Sequence, residues 1–259
     1  MRPSSSSQTA GFTLIEMAVS ITIIALIISV ITGATAMRRN YQLITLMDGA
    51  SKITQATIRF KEIYGGLPGD LWNAQDKFGT TAPDGNAINN GDGNGWISST
   101  AEANYAPQHL MLAGLIDGHY TGILWSASNM MTTSVSNSAF FFVSQPASTT
   151  VMITPSLGFG GSNTLSLGTG SPLTGGGYLG SIITAQEMSR IDTKYDDGVP
   201  NSYNDGVLTS YTSTGKINGY DGTESGHIAN SCVNSAGTAY ATTGTANACY
   251  FKLSVEGVY

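Results

Sequence analysis

The sequence predicts an α+β protein in which one long N-terminal helix packs on a small antiparallel sheet with long loop insertions. An uncharged apolar run of helix-forming length lies near the N-terminus, and a stretch with helical periodicity follows it directly. Beyond residue 122, short apolar runs alternate with Gly, Ser and Thr, which is typical of strands joined by turns. A chain of 259 residues is long enough to bury a sizeable core.

The N-terminal run is preceded by a polar, Ser-rich segment, residues 1–11, which we exclude from the predicted fold. Residues 17–37 are 21 residues without a charge, rich in Ile, Val, Leu and Ala. As a helix this run would span about 31 Å, which matches a bilayer core of about 30 Å. Glu16 immediately precedes the run, and because an unpaired carboxylate is costly to bury in hydrocarbon, it requires a partner.

Three interpretations of this stretch compete. The first is a permanent single-span membrane anchor, which needs no special role for Glu16. The second is a secretory signal peptide cleaved at the A-x-A sequence of residues 34–36, although its apolar region would be unusually long. The third follows from a resemblance. Residues 11–16 have the sequence GFTLIE and precede the apolar run, which resembles the processing site of type IV pilins and type II secretion pseudopilins.

In that family a membrane-embedded prepilin peptidase cuts after the glycine and methylates the new N-terminal phenylalanine. The resemblance therefore implies cleavage after Gly11, a methylated Phe12 and an assembly role for Glu16. Within a filament, the Glu16 carboxylate would pair with the α-ammonium group of a neighbouring subunit's Phe12. Thr9 and Ala10 precede the glycine here, whereas family leaders often carry basic residues at this point. The implied partners are prepilin peptidase, other pilin or pseudopilin subunits, an inner-membrane assembly platform and membrane lipid.

The domain organisation follows from these segments: a prepilin leader at 1–11, a transmembrane and filament-core helix at 12–37, an amphipathic helical half at 38–64, and a globular head at 65–259. In the amphipathic half, apolar or small residues recur in steps of three and four, at Leu43, Leu46, Met47, Ala50, Ile53, Ala56, Phe60 and Tyr64. Gly65, Gly66 and Pro68 would then end the helix. A long helix packed on a small sheet is the pilin-like fold that the resemblance implies.

Further helices are predicted within residues 70–78, 100–117 and 185–191. Pro107 places the regular start of the second near Ala106, and Thr184 with Glu187 forms a capping-box pattern for the third. Residues 158–177 are low in sequence complexity and predict a loop. Strands are predicted at residues 123–125, 140–143, 151–153, 178–183, 207–211 and 250–255.

Two oxygen-rich loops are candidate sites for Ca²⁺, which takes about 6–8 oxygen ligands. The first contains Asp84, Asp92 and Asn94, and the second contains Asp192, Asp196, Asp197 and Asp205. From Asn90 onward the first imitates the opening of an EF-hand loop, but Ala101 stands at its twelfth position and Glu102 follows one residue late. In both loops the same residues could instead cap ordinary turns without a metal.

Other residues with reactive or aromatic side chains predict structural roles. Cys232 and Cys249 are predicted to form a disulfide, with two free buried thiols as the alternative. His109 lies among apolar neighbours on a predicted helix and is expected to pack rather than to bind a ligand. The three tryptophans are expected in the core, although they could form a ligand-binding surface: Trp72, Trp96 and Trp125.

The composition argues against several classes of function. Charged residues make up 11% of the chain and the formal net charge is −6, so no basic patch is available to contact nucleic-acid phosphates. The sequence lacks the G-x-S-x-G, H-E-x-x-H and P-loop motifs, and it predicts no enzyme and no certain cofactor.

The predicted function is that of a structural subunit of a type IV pilus or a type II secretion pseudopilus, assembled through its apolar helix. The alternatives are a minor, tip-located adhesin-like pilin and a membrane-anchored binding protein that does not polymerise. The predicted location is the bacterial inner membrane, with one span and the head outside the cytoplasm, and then a periplasmic or extracellular filament.

Overall fold

The computed structural model describes residues 12–97, 99–123, 129, 131–135, 138–143, 164–168, 181–200, 217–221, 230–234, 238–244, 246 and 248–254. The predicted leader, the strands at 151–153 and 207–211, and most of the strand at 123–125 lie outside these residues. The chain divides into two compact units, residues 1–45 and 46–259, which are described separately.

Helix α1 begins in the first unit and spans Leu14–Tyr64. These bounds match the predicted long helix closely. Every side chain from residue 12 to residue 38 is exposed, including the large apolar ones. By length and composition, α1 is able to cross a membrane. A helix that is apolar all round requires an apolar environment, either lipid or other helices.

In the second unit α1 buries most of the predicted apolar face. The buried side chains again recur in steps of three and four: Leu46, Met47, Ala50, Ile53, Ala56, Thr57 and Phe60. The ring of Phe60 lies 4.6 Å from the ring of Tyr64 and stacks at 6.3 Å on that of His109. Gly65 then ends the helix with a φ of 78°, a conformation that glycine adopts without strain.

Helix α2 spans Ala74–Phe78, and α3 spans Thr100–Leu112. The predicted start of α3 near Ala106 is wrong, because a capping box fixes the start at Thr100. The Glu102 N–H donates to Ser99 Oγ over 3.2 Å, and the Ser99 N–H donates to Glu102 Oε2 over 3.0 Å. Pro107 lies inside this helix, where the local cap and burial outweigh the loss of its N–H.

Helix α4 spans Ala185–Tyr195 and carries the predicted capping box. The Glu187 N–H donates to Thr184 Oγ1 over 3.1 Å, and the Thr184 N–H donates to Glu187 Oε2 over 2.9 Å. The predicted box is therefore confirmed, and the helix continues four residues beyond its predicted end at Ile191.

The sheet is antiparallel throughout, with strand order β1-β2-β3-β5-β4. Its strands are β1 (Met131–Thr132), β2 (Ala139–Val143), β3 (Thr164–Gly168), β4 (Ile217–Asp221) and β5 (Cys249–Ser254). The predicted strands at 140–143 and 250–255 correspond to β2 and β5. The central strand β3 lies in the stretch predicted as a loop, which corrects that expectation. Of the predicted strand at 178–183, the described residues form one isolated bridge, between Ile183 and Cys249.

The helices of the second unit pack on this sheet. Helix α3 contacts β2, and α4 contacts β4 and β5. Helix α1 reaches β2 at Gly49, where an added Cβ would lie 3.0 Å from Cε2 of Phe140. The α+β architecture, a long helix with a small antiparallel sheet, is consistent with the predicted pilin-like fold.

A disulfide joins Cys232 to Cys249, which are separated by 17 positions in the sequence. Cys249 begins β5, so the bond attaches the preceding segment to the sheet. Closing a loop of this length stabilises the fold by about 3 kcal/mol on the chain-entropy estimate.

Candidate functional site

The beginning of α1 is the first candidate site, because it holds a carboxylate in an otherwise apolar helix. Glu16 Oε2 accepts two hydrogen bonds from Thr13, one from its N–H over 2.9 Å and one from its hydroxyl over 2.8 Å. The Glu16 N–H donates in return to Thr13 Oγ1 over 3.3 Å. This reciprocal cap holds the carboxylate at the first turn of the helix.

Glu16 lies at the N-terminus of a helix, a position that favours an anionic side chain and allows it to pair with a cationic group. Carboxylates are favoured at helix N-termini, where unpaired N–H groups carry partial positive charge. Phe12 directly precedes the cap, and its side chain is 80% exposed. Gly11 lies outside the described residues. A new amino terminus on Phe12 would carry a charge opposite to that of Glu16.

Residues 6–32 match a family model described as the prokaryotic N-terminal methylation motif. The chain carries the type IV pilin and pseudopilin signature. The resemblance of residues 11–16 is thereby confirmed, and the apolar helix that follows the motif suits a single-pass membrane-anchored chain. No curated protein and no solved structure matches the chain. The signature ends at residue 32 and does not cover the head. Candidate sites in the head are therefore identified from the geometry of the head alone.

A second candidate site consists of three carboxylates in the head, those of Asp70, Asp92 and Glu102, each with an oxygen within 4.8 Å of the others. We call these residues the first acidic group. Asp70 Oδ1 accepts the N–H of Asn94 over 3.0 Å, and Asp70 Oδ2 accepts the N–H of Gly95 over 2.9 Å. Glu102 Oε1 accepts the N–H of Asp92 over 3.1 Å. These carboxylates therefore satisfy backbone donors of the loop before α3.

The electrostatics of the first acidic group centre on Asp70, which is 1% exposed. Burial is the largest of the effects that together raise the pKa of Asp70 to about 7; the Gly95 N–H opposes the increase, and the carboxylates of Asp92 and Glu102 contribute to it. The group thus binds a proton more tightly than an exposed carboxylate does.

The carboxylates that lie together in the structure differ from the calcium ligands predicted for this loop. Asp84 is not in the first acidic group; it forms a turn with Asn86 and lies 2.9 Å from Nε2 of His119. Asn94 Oδ1 accepts the N–H of Trp96 over 2.8 Å, which is turn chemistry. Asp70 and Glu102 were missed as members of this group, although the late acid of the EF-hand-like pattern pointed to Glu102. Calcium at this loop stays a prediction.

A third candidate site, the second acidic group, lies at the end of α4 and consists of Asp192, Asp196 and Asp197. One oxygen of each lies within 4.8 Å of the others. Asp192 Oδ2 accepts the hydroxyl of Tyr240 over 2.8 Å, and Asp196 Oδ2 accepts the N–H of Ile217 over 2.7 Å. These bonds connect α4 to β4 and to the disulfide-closed segment. Asp205, the fourth predicted ligand, lies outside the described residues.

Asp192 is fully buried, unlike its two partners. Its pKa is raised to about 6, with burial as the largest cause, and the Tyr240 hydroxyl opposes the increase. The carboxylates of Asp197 and Asp196 add to the increase, and the Gly198 N–H lowers the pKa without completing a hydrogen bond to Oδ1.

The aromatic residues have different environments from one another. Trp72 is 64% exposed, so the predicted core position is wrong for it, and Trp125 lies outside the described residues. His109 is fully buried, as predicted, but it also makes hydrogen bonds: its Nδ1 accepts the Gly69 N–H over 3.0 Å, and its Nε2 lies 3.0 Å from the Asn89 carbonyl oxygen. This pattern requires a neutral ring with its proton on Nε2.

We expect the stability contribution of His109 to disappear in acid. Burial lowers its pKa from 6.5 to about 4, so its contribution is complete above pH 6.5 and is lost as the pH falls through 4. The free-energy difference between the wild type and His109→Gln should therefore shrink by about 3 kcal/mol over this range. Urea unfolding of both proteins at a series of pH values measures it.

The experiment compares the unfolding free energies of the wild type and His109→Gln because Asp70 contributes a pH dependence of the opposite sign. Its raised pKa gives a contribution that is complete below the ordinary carboxyl range and is lost as the pH rises through about 7. His119→Gln, which changes an exposed histidine, is the control. A pH-independent difference for His109→Gln would contradict the neutral buried ring.

Proposed function

We propose that the protein is a structural subunit of a type IV pilus or a type II secretion pseudopilus. The observation that carries the proposal is the apolar part of α1, exposed from residue 14 to residue 38, which begins with a capped carboxylate and overlaps the methylation signature at residues 6–32. Such a helix needs lipid before assembly and neighbouring helices afterwards.

The proposed mechanism starts with storage of the subunit in the bacterial inner membrane, with the head outside the cytoplasm. Prepilin peptidase cuts after Gly11, which creates a cationic amino terminus on Phe12. The same enzyme then methylates Phe12. An inner-membrane assembly platform then moves the subunit from lipid into a periplasmic or extracellular filament. In this mechanism the protein has a structural role and not a catalytic one.

The pair formed by Glu16 and the Phe12 ammonium group of a neighbouring subunit supplies a specificity of axial register that the apolar helix surface lacks. Lipid tails are as apolar as leucine side chains, so moving the helix from lipid into a helical bundle gains little hydrophobic free energy. An interaction between Glu16 and the Phe12 ammonium of a neighbour is favoured at one axial offset alone. The pair therefore sets the register of each new subunit.

Intact mass and N-terminal sequencing of the protein from native membranes test the processing step. We expect a chain that begins at Phe12 and carries one additional methyl group. A chain that begins at Met37 would instead indicate a cleaved secretory signal, and an uncut Met1 would indicate a permanent anchor. Either of these results would overturn the proposal.

A minor, tip-located subunit would carry the same N-terminal signature as a major one. The two roles differ in stoichiometry, because a major subunit forms most of the filament mass. Quantitative mass spectrometry of sheared filaments distinguishes them, and purification from membranes alone does not.

A further inference from the structure

We propose that Arg38, with Tyr41 on the same face of α1, binds the headgroup of an anionic phospholipid at the point where the helix leaves the membrane. The bound lipid would hold the subunit in the membrane before assembly. This inference rests on the membrane-anchored stage of the proposed function and not on filament formation, since lipid binding is a property of the single subunit.

The position of these residues along α1 corresponds to the headgroup layer of a bilayer. As a helix, the uncharged run of residues 17–37 spans about 31 Å, which fills a bilayer core of about 30 Å. The headgroup layer adds about 5–7 Å on each side. Residues 38–41 extend the helix by about 6 Å beyond the run, so they lie at the depth of the lipid phosphates.

This part of α1 is positively charged. Arg38 and Arg39 are the only charged residues between Glu16 and Asp48. Asp48 forms its own ion pair, because its Oδ2 lies 2.7 Å from the Nζ of Lys52. The two arginines therefore have no carboxylate within a helical turn of them along the chain. A membrane surface of negative charge attracts basic residues placed in this way next to an apolar span.

The side chains of Arg38 and Tyr41 are available to a ligand from outside the chain. Arg38 is exposed, and it forms no ion pair with the residues that the structure describes. Tyr41 is 68% exposed and lies three positions further along α1, hence on the same face of the helix. A guanidinium group binds phosphate oxygens through two parallel hydrogen bonds, and tyrosine is enriched at membrane interfaces. Together the two side chains match the polar and interfacial parts of one phospholipid.

The net charge of the lipid distinguishes the proposed partner from phospholipids in general. Phosphatidylglycerol and phosphatidylcholine both offer a phosphate group to Arg38. The choline group of the second carries a positive charge, which Arg38 and Arg39 repel. Each basic residue near an anionic membrane surface strengthens the attraction by about fivefold. We therefore expect selection of phosphatidylglycerol over phosphatidylcholine.

Reconstitution of the full-length protein in nanodiscs tests the proposal. The discs contain equal amounts of phosphatidylglycerol and phosphatidylcholine with identical acyl chains, and native mass spectrometry counts the lipids that stay bound after transfer to detergent. We expect the wild type to retain phosphatidylglycerol in preference by about fivefold or more. Arg38→Gln should reduce this preference by about fivefold, whereas Arg38→Lys, which keeps the charge, should retain most of it.

The matched control is Arg59→Gln, which removes an exposed arginine from the half of α1 that packs in the head. This variant should show the lipid preference of the wild type. Equal retention of the two lipids by the wild type would overturn the inference, and so would equal losses of preference in Arg59→Gln and Arg38→Gln. A loss of self-association in Arg38→Gln with an unchanged lipid preference would assign this face to a second copy of the chain and would also overturn it.

Flotation of the wild type with vesicles of the same lipids separates this inference from the proposed function. A protein that floats with the vesicles but does not select phosphatidylglycerol would contradict the lipid site alone. A protein that does not float would contradict both the membrane-anchored stage and the lipid site.

Discussion

Glu16→Ala should abolish filament assembly and leave the head folded. The substitution removes the one carboxylate in the exposed apolar part of α1, and with it the acceptor for a neighbouring amino terminus. Because the apolar surface itself gives little preference for one register, the remaining helix contacts cannot replace this pair. Electron microscopy and immunoblotting of sheared fractions should find the variant in membranes and not in filaments.

The control for this experiment is Glu62→Ala, which removes an exposed carboxylate near the other end of the same helix. This variant should assemble as the wild type does, since Glu62 lies outside the apolar segment. Intact mass must show that Glu16→Ala is still cleaved and methylated, so that an assembly defect is separated from a processing defect. Normal filaments from a processed Glu16→Ala protein would exclude the proposed pair and favour a protein that does not polymerise through it.

Gly91→Ala should destabilise the head by about 3 kcal/mol, the upper part of the range for overpacking substitutions. A Cβ at this position would lie 2.3 Å from the carbonyl carbon of Asp70 and 2.3 Å from the carbonyl oxygen of Gly69. These are backbone atoms, and the Gly91 N–H also donates to the Leu71 carbonyl oxygen over 3.0 Å. The two chain segments cannot separate without loss of that hydrogen bond, so the midpoint of urea unfolding should fall.

Gly244→Ala is the matched control, because among the described residues no atom beyond its chain neighbours lies within 4 Å of the added Cβ. Its unfolding free energy should change by less than about 0.5 kcal/mol. Equal effects of the two substitutions would show that the segments around Gly91 are not packed as closely as described. The comparison holds the chemical change constant and varies its surroundings alone.

Features that depend on residues close together in the chain were predictable. The long helix, the apolar face that is buried from Leu46 to Phe60 and the capping box of Thr184 with Glu187 were all predicted, and the structure confirms them. The N-terminal signature is also local, since residues 11–16 and the following run carry it. Helical periodicity and caps act over three to four residues, so the sequence displays them directly.

Other features were decided by contacts between distant segments. Strand β3 has the Gly-, Ser- and Thr-rich composition of a loop, but it pairs with β2 and β5 on either side, and these hydrogen bonds outweigh its weak local preference. Asp70 joins Asp92 and Glu102 because the loop before α3 folds back on residues 69–71.

The sequence by itself determined the N-terminal class and the acidic composition of the two candidate loops. The tertiary structure decided which carboxylates meet and which oxygens find donors: those of Asp70 are satisfied by the loop, and Oδ1 of Asp192 has no hydrogen-bond donor among the described residues. The physical reason is that a carboxylate's chemistry depends on burial and on the donors around it. Both are set by residues that are remote along the chain.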